Sequence, residues 1–94
     1  MIAILVLQER WNIIGDIMDN GRESGEVVVQ RAHVVRYWGT TKGLGELVDG
    51  PTGTTKLDAL PSVTGELYIP YHALVFTLVV KDDKWNKILD QKQE

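Results

Sequence analysis

A chain of 94 residues, 44% hydrophobic and 24% charged, has the composition of one globular domain spanning 1–94. Ten Lys/Arg against thirteen Asp/Glu leave a net charge of −3, which argues against a protein that coats DNA or RNA, because such proteins carry a basic footprint. The absence of cysteine excludes disulfide frameworks, thiolate metal sites and thiol nucleophiles, and favours a reducing compartment.

Met1–Leu7 is apolar but has no basic flank and stops at Gln8-Glu9-Arg10. It is too short for a signal sequence or a membrane span, and Ile2–Leu7 within it reads as a buried strand. Trp11–Met18 is a second strand, with Gly15 marking a bulge or bend. Asp19-Asn20-Gly21 and Ser24-Gly25 are turn chemistry, so the Val-rich Glu26–Gln30 closes a hairpin. His33–Trp38 is a further β run. Leu44, Leu47 and Val48 then fall at helical spacing, with Thr40 or Thr41 as N-cap and Gly50-Pro51 as the stop. Thr54–Asp58, Gly65–Ile69 and Tyr71–Val80 read as strands, with Pro70 restricting the sheet there to an edge or a break. Trp85, Ile88 and Leu89 form one face of a short terminal helix that Asp82 or Asp83 would cap. The expected fold is mostly β: a small barrel or a strongly bent antiparallel sheet, with one short central helix and a short C-terminal helix.

The densest chemistry lies in Arg36–Gly43. The N-terminus of a helix offers free N–H groups and partial positive charge to an anion. Thr40, Thr41 and Lys42 would hold phosphate there, and Gly39 and Gly43 would let a ligand approach the backbone. Arg36 would neutralise charge and Trp38 would stack on a base. The plainer reading of the same stretch is a strand-to-helix turn with an ordinary threonine cap, Trp38 in the core and Lys42 in solvent. The lysine precedes Gly43, so this is not the phosphate loop of nucleotide triphosphatases, and a third glycine is missing for a dinucleotide fingerprint.

His33 and His72 lie far apart without a ligand-spaced partner, so no metal is expected, and Ser24 and Ser62 sit in turns. No catalytic constellation emerges, and the expectation is a protein that is not an enzyme and needs no cofactor. Of Trp11, Trp38 and Trp85, a domain this small is expected to leave at least one at a subunit interface or ligand pocket. With apolar segments near both ends, that favours a homo-oligomer.

Leu5-Val6-Leu7-Gln8, Trp11 and Ile14-Gly15, then the run Val35-Arg36-Tyr37-Trp38-Gly39-Thr40-Thr41-Lys42-Gly43-Leu44-Gly45-Glu46-Leu47, continue into Gly50-Pro51-Thr52 and Thr55-Lys56-Leu57-Asp58. This order resembles a small uncharacterised domain family common in bacteriophage genomes. It covers most of Ile4 to Trp85; the loops Gly21–Gly25 and Ala59–Thr64 are longer than the pattern. The family carries no activity to transfer. The resemblance implies a small viral protein made in the cytoplasm of a bacterial host, where such proteins bind host factors or form oligomers that sequester cyclic nucleotides. Two functions are therefore expected. The first is capture of a phosphate-bearing small molecule, a cyclic-nucleotide immune signal of the host being the specific form. The alternative is a protein–protein module that inhibits a host protein or serves the virion.

Overall fold

The computed structural model describes residues 1–39 and 43–90. Six strands form one antiparallel sheet: β1 (Ile2–Leu7), β2 (Asn12–Asp19), β3 (Glu26–Tyr37), β4 (Lys56–Ala59), β5 (Glu66–Pro70) and β6 (Leu74–Val79). The ladder runs β4-β3-β2-β1-β6, with β5 paired to β3. Among the described residues a single α-helix, α1 (Asp82–Asp90), follows, and short 3-10 turns occupy Gln8–Arg10, Leu44–Asp49 and Tyr71–Ala73.

The sheet is bent rather than closed, so the barrel alternative does not hold: β4 and β6 end the ladder without meeting. The reason lies in β3. Its N-terminal half pairs with β5, Glu26 opposite Pro70 through Gln30 opposite Glu66, and its C-terminal half pairs with β4, His33 opposite Ala59 through Tyr37 opposite Lys56. Both partners stand on the same side of β3, opposite β2. The two expected strands Glu26–Gln30 and His33–Trp38 are thus one strand, bent between these halves where Arg31 adopts φ 52°. Gly15 lies where the β2–β3 register slips between Ile14 and Asp16, the bulge its sequence position predicts. A Cβ there would stand 2.3 Å from Val29 Cγ1, so the bend needs glycine to let β3 cross closely over β2.

The bent sheet buries both faces. On one, Ile2, Ile4, Ile14 and Val35 pack with Leu47, Val80, Trp85 and Leu89. On the other, Leu5, Ile13, Val27, Val29, Ala32 and Ile69 close together. Successive residues of β1 alternate between the two clusters, as strand geometry requires. That is why Ile2–Leu7 reads as continuously apolar.

The helical segments cover the first face. Trp85 is fully buried and donates its indole N–H to the Leu47 carbonyl at 2.7 Å, joining α1 to the central turn. Arg31 reaches the other end of α1, where Nη1 meets Asp90 Oδ1 at 2.6 Å and Asn86 Oδ1 at 2.8 Å. This places a cation at the helix C-terminus, where the helix dipole favours it. The carboxylate of Asp82, which with Asp83 was an expected cap, accepts the Ile2 N–H at 2.9 Å and ties α1 to the start of β1. Asp49 pairs with Lys81 at 2.5 Å. The pair holds the Asp49 carboxyl below its ordinary range and the Lys81 ammonium above its own, in both cases first through their hydrogen bond and then through their opposite charges. Among the described residues, no helix is long and apolar enough to cross a membrane.

Candidate functional site

The expected anion site divides into three parts. Thr40, Thr41 and Lys42 lie outside the described residues. Arg36, Trp38 and Gly39 come together at the end of β3, where they line a cleft of about 360 Å³ with Val35, Tyr37, Arg10 and Asn12. Gly43 falls outside that lining and precedes the central helical element, which corrects the sequence reading. The element is a six-residue 3-10 turn, Leu44–Asp49, with Gly43 at its N-cap and no side-chain cap. The N-cap position expected at Thr40 or Thr41 is thus taken by Gly43. Gly45 within the turn and Gly43 and Gly50 at its ends disfavour a longer helix. Its apolar face is as expected, with Leu47 buried and Leu44 and Val48 packed beside it.

The cleft is built by two neighbouring strand ends. Ile13 pairs with Val34, so extending the register sets Asn12 opposite Val35 and brings Arg10 and Arg36 to the same end of the sheet. The loop from β1 into β2 closes tightly, with the Leu7 N–H donating to the Trp11 carbonyl at 2.8 Å. Glu9 and Arg10 inside it adopt φ 62° and 68°. Two consecutive non-glycine residues in the left-handed region cost on the order of 1–3 kcal/mol each, and that strain presents Arg10 to the cleft.

Arg36 is exposed and its Nε lies 2.9 Å from Asp58 Oδ2, a pair that Val34 opposite Asp58 in the β3–β4 ladder makes possible. Surface pairs of this kind contribute at most about 1 kcal/mol, so a ligand anion can draw the guanidinium away at little cost. Trp38 is 38% exposed, neither a core residue nor free in solvent. Asn12 donates through Nδ2 to the Arg10 carbonyl at 3.3 Å. Its Oδ1 is buried and has no hydrogen-bond partner among the described residues. A buried acceptor without a donor costs about 1–3 kcal/mol.

The backbone at Trp38-Gly39 is held from below by three threonines. Thr55 Oγ1 donates to the Trp38 carbonyl at 2.6 Å. Thr52 Oγ1 and Thr54 Oγ1 donate to the Gly39 carbonyl at 2.6 Å and 3.0 Å. The role of Gly39 thus differs from the expected one: the space beside its Cα is filled by Thr54 and Thr55, so the glycine serves packing against this loop. Arg10 and Asn12 were not among the expected site residues. Nothing local marks them, and only the pairing of β2 with β3 brings them beside Arg36.

Of the remaining aromatics, Trp11 is 55% exposed and lines an apolar groove of about 300 Å³ with Tyr68, Leu60 and Pro70. No protein-family model matches the chain, and a search of curated proteins yields no match either.

Proposed function

We propose that this chain is a non-enzymatic binding protein that captures a small phosphate-bearing molecule of nucleotide type in the Arg10–Arg36–Trp38 cleft. The observation that supports this is the convergence of Arg10, Arg36 and the partly exposed Trp38 on one cleft of about 360 Å³. That volume lies at the lower end of the range for small-molecule sites, about 300–1,000 Å³. Arginine forks suit phosphate oxygens and the indole suits a base face. These groups hold an anion and a ring. Lys42 enters the proposal from the sequence alone, as a further phosphate-binding cation. The phage resemblance adds the specific form: an oligomer in the host cytoplasm that sequesters a cyclic-nucleotide defence signal.

Thermal unfolding against linear and cyclic nucleotides, with inorganic phosphate alongside, tests the reading. A ligand at a hundred times its Kd adds about 2.7 kcal/mol, roughly 10–20 °C in Tm for a domain of this size. Arg36→Gln and Arg10→Asn, the latter chosen because asparagine tolerates left-handed backbone, should each weaken binding about tenfold or more. No shift with any of these ligands removes the proposal. A second reading, a protein–protein module, draws on the apolar groove around Trp11 and Tyr68; there, nucleotides leave Tm unchanged and Trp11→Ala abolishes capture of a host protein.

A further inference from the structure

The passage from β2 into β3 begins Asp19-Asn20-Gly21, and two backbone N–H groups there are held by side chains two residues earlier. The Gly21 N–H donates to Asp19 Oδ1 at 2.8 Å, and the Arg22 N–H donates to Asn20 Oδ1 at 3.0 Å. Each contact by itself is an ordinary turn-forming bond. Together they flank one reactive pair, the Gly21 nitrogen and the side-chain amide carbon of Asn20. A backbone nitrogen attacks such a carbon only as its proton is removed, and the base must lie within hydrogen-bond reach of that proton. The Asp19 carboxylate does. Attack places negative charge on Asn20 Oδ1, and a donor already aimed at that oxygen stabilises the charge. The Arg22 N–H is that donor. Glycine at position 21 sets no side chain beside the attacking nitrogen, and Asn20 is exposed to water.

We propose that Asn20 is a self-modification site, where this turn converts the asparagine to aspartate and isoaspartate without an enzyme. Asp19 takes the proton of the Gly21 N–H as that nitrogen bonds to Asn20 Cγ. The Cγ–Nδ2 bond then breaks, and the proton leaves with Nδ2 as ammonia, closing a cyclic imide. Water opens the imide at Cγ to give aspartate, or at the main-chain carbonyl of residue 20 to give isoaspartate. Either product adds a negative charge beside Asp19. The isoaspartyl product also adds a methylene to the backbone just before Gly21, which is wedged in place. A Cβ on Gly21 would stand 2.9 Å from Tyr71 Cδ1 and 3.0 Å from Val27 Cγ2, and the Tyr71 N–H ties the turn down through the Gly25 carbonyl at 2.9 Å. Conversion therefore loosens the hairpin. The proposal does not depend on the ligand reading, since this turn contributes no residue to that cleft.

The chain carries its own controls in Asn12, which precedes Ile13, and Asn86, which precedes Lys87; in both, a large side chain crowds the following nitrogen. The purified chain, held for days in neutral buffer and mapped by mass spectrometry of its peptides, should show acid at position 20 while positions 12 and 86 keep their amides. Position 20 should convert at least as fast in the folded chain as in a free peptide of residues Met18–Gly25. Asp19→Asn keeps an acceptor for the Gly21 N–H but removes the base, and should slow conversion about tenfold with an unchanged circular dichroism spectrum. The isoaspartyl fraction should unfold at a lower temperature than the starting chain. A position 20 that stays an amide in the folded chain while the free peptide converts overturns the proposal, because the two hydrogen bonds then shield the pair instead of activating it. So does an Asp19→Asn chain that converts at the original rate. If Asp19→Asn does not fold, the comparison of chain with peptide decides alone. An isoaspartyl fraction with the original Tm overturns the loosening of the hairpin.

Discussion

A methyl group at Gly39 would meet Thr54 Oγ1 at 2.5 Å and the Thr54 carbonyl carbon and Thr55 nitrogen at 2.6 Å, with φ already at 67°. Two of those atoms are backbone and cannot swing aside. Gly39→Ala should therefore cost about 1–3 kcal/mol, seen as a lower urea midpoint with an unchanged slope. An alanine at Gly45, whose Cβ would meet nothing within 4 Å, is the control and should leave the midpoint nearly unmoved. The same residue shows how far the site is legible in the sequence. Arg36, Trp38 and Gly39 stand together in the chain, and their chemistry is visible as a cluster. What Gly39 packs against is 15 residues away at Thr54, and no local pattern carries that. Arg10 and Asn12 are hidden for a related reason: their contribution arises from strand pairing, and the orphaned Asn12 acceptor exists only once its surroundings are buried.

At the scale of elements, period-two patterning identifies the strands because burial on alternating faces is what selects their residues. It does not separate one bent strand from two straight ones. Arg31-Ala32 reads as a gap in the β pattern, yet β3 passes through it, with Arg31 in left-handed backbone and its side chain on Asp16 and Asp90. The central turn is a similar case: the spacing of Leu44, Leu47 and Val48 shows which residues face the core but not whether the coil is α or 3-10. That turn is held to the start of α1 by the Asp49–Lys81 pair and by the Lys81 N–H on the Val48 carbonyl at 3.0 Å. The pair makes stability depend on pH in a defined direction. The carboxyl of Asp49 is depressed below its ordinary 3.8, so its contribution is present above that value and is lost as pH falls through the depressed one. The ammonium of Lys81 is raised above 10.5, so its contribution is complete below 10.5 and is lost as pH rises past the raised value. Asp49→Asn should flatten part of the acid limb of a stability–pH curve below pH 3.8. The difference from the unmodified chain should shrink in molar salt, as exposed pairs are screened. An acid limb identical in the two proteins would show that the pair does not couple turn to helix.

For the whole molecule, the open question at the level of sequence is closure: alternation says which residues turn inward but not which strands meet. A barrel and a bent sheet satisfy the same pattern, and the choice is made by β3 bending so that β4 and β5 share one of its sides. One consequence is two apolar clusters on opposite faces of a single sheet, with β1 and β2 common to both. Because the same strands carry both, loss of either cluster should release the other, and the domain should unfold in one step. Ile4 and Ile13 test this with identical chemistry. Both are buried, Ile4 among the residues facing α1 and Ile13 among those facing β5. Ile4→Val and Ile13→Val should each cost about 0.5–1.5 kcal/mol. At roughly 4–8 °C per kcal/mol for a domain of this length, each should lower the same calorimetric transition by several degrees. The ratio of calorimetric to van't Hoff enthalpy should stay near unity in both variants. If Ile4→Val instead moves one transition and Ile13→Val another, the two faces are separate cooperative units, and β1 is a hinge between them rather than a shared wall.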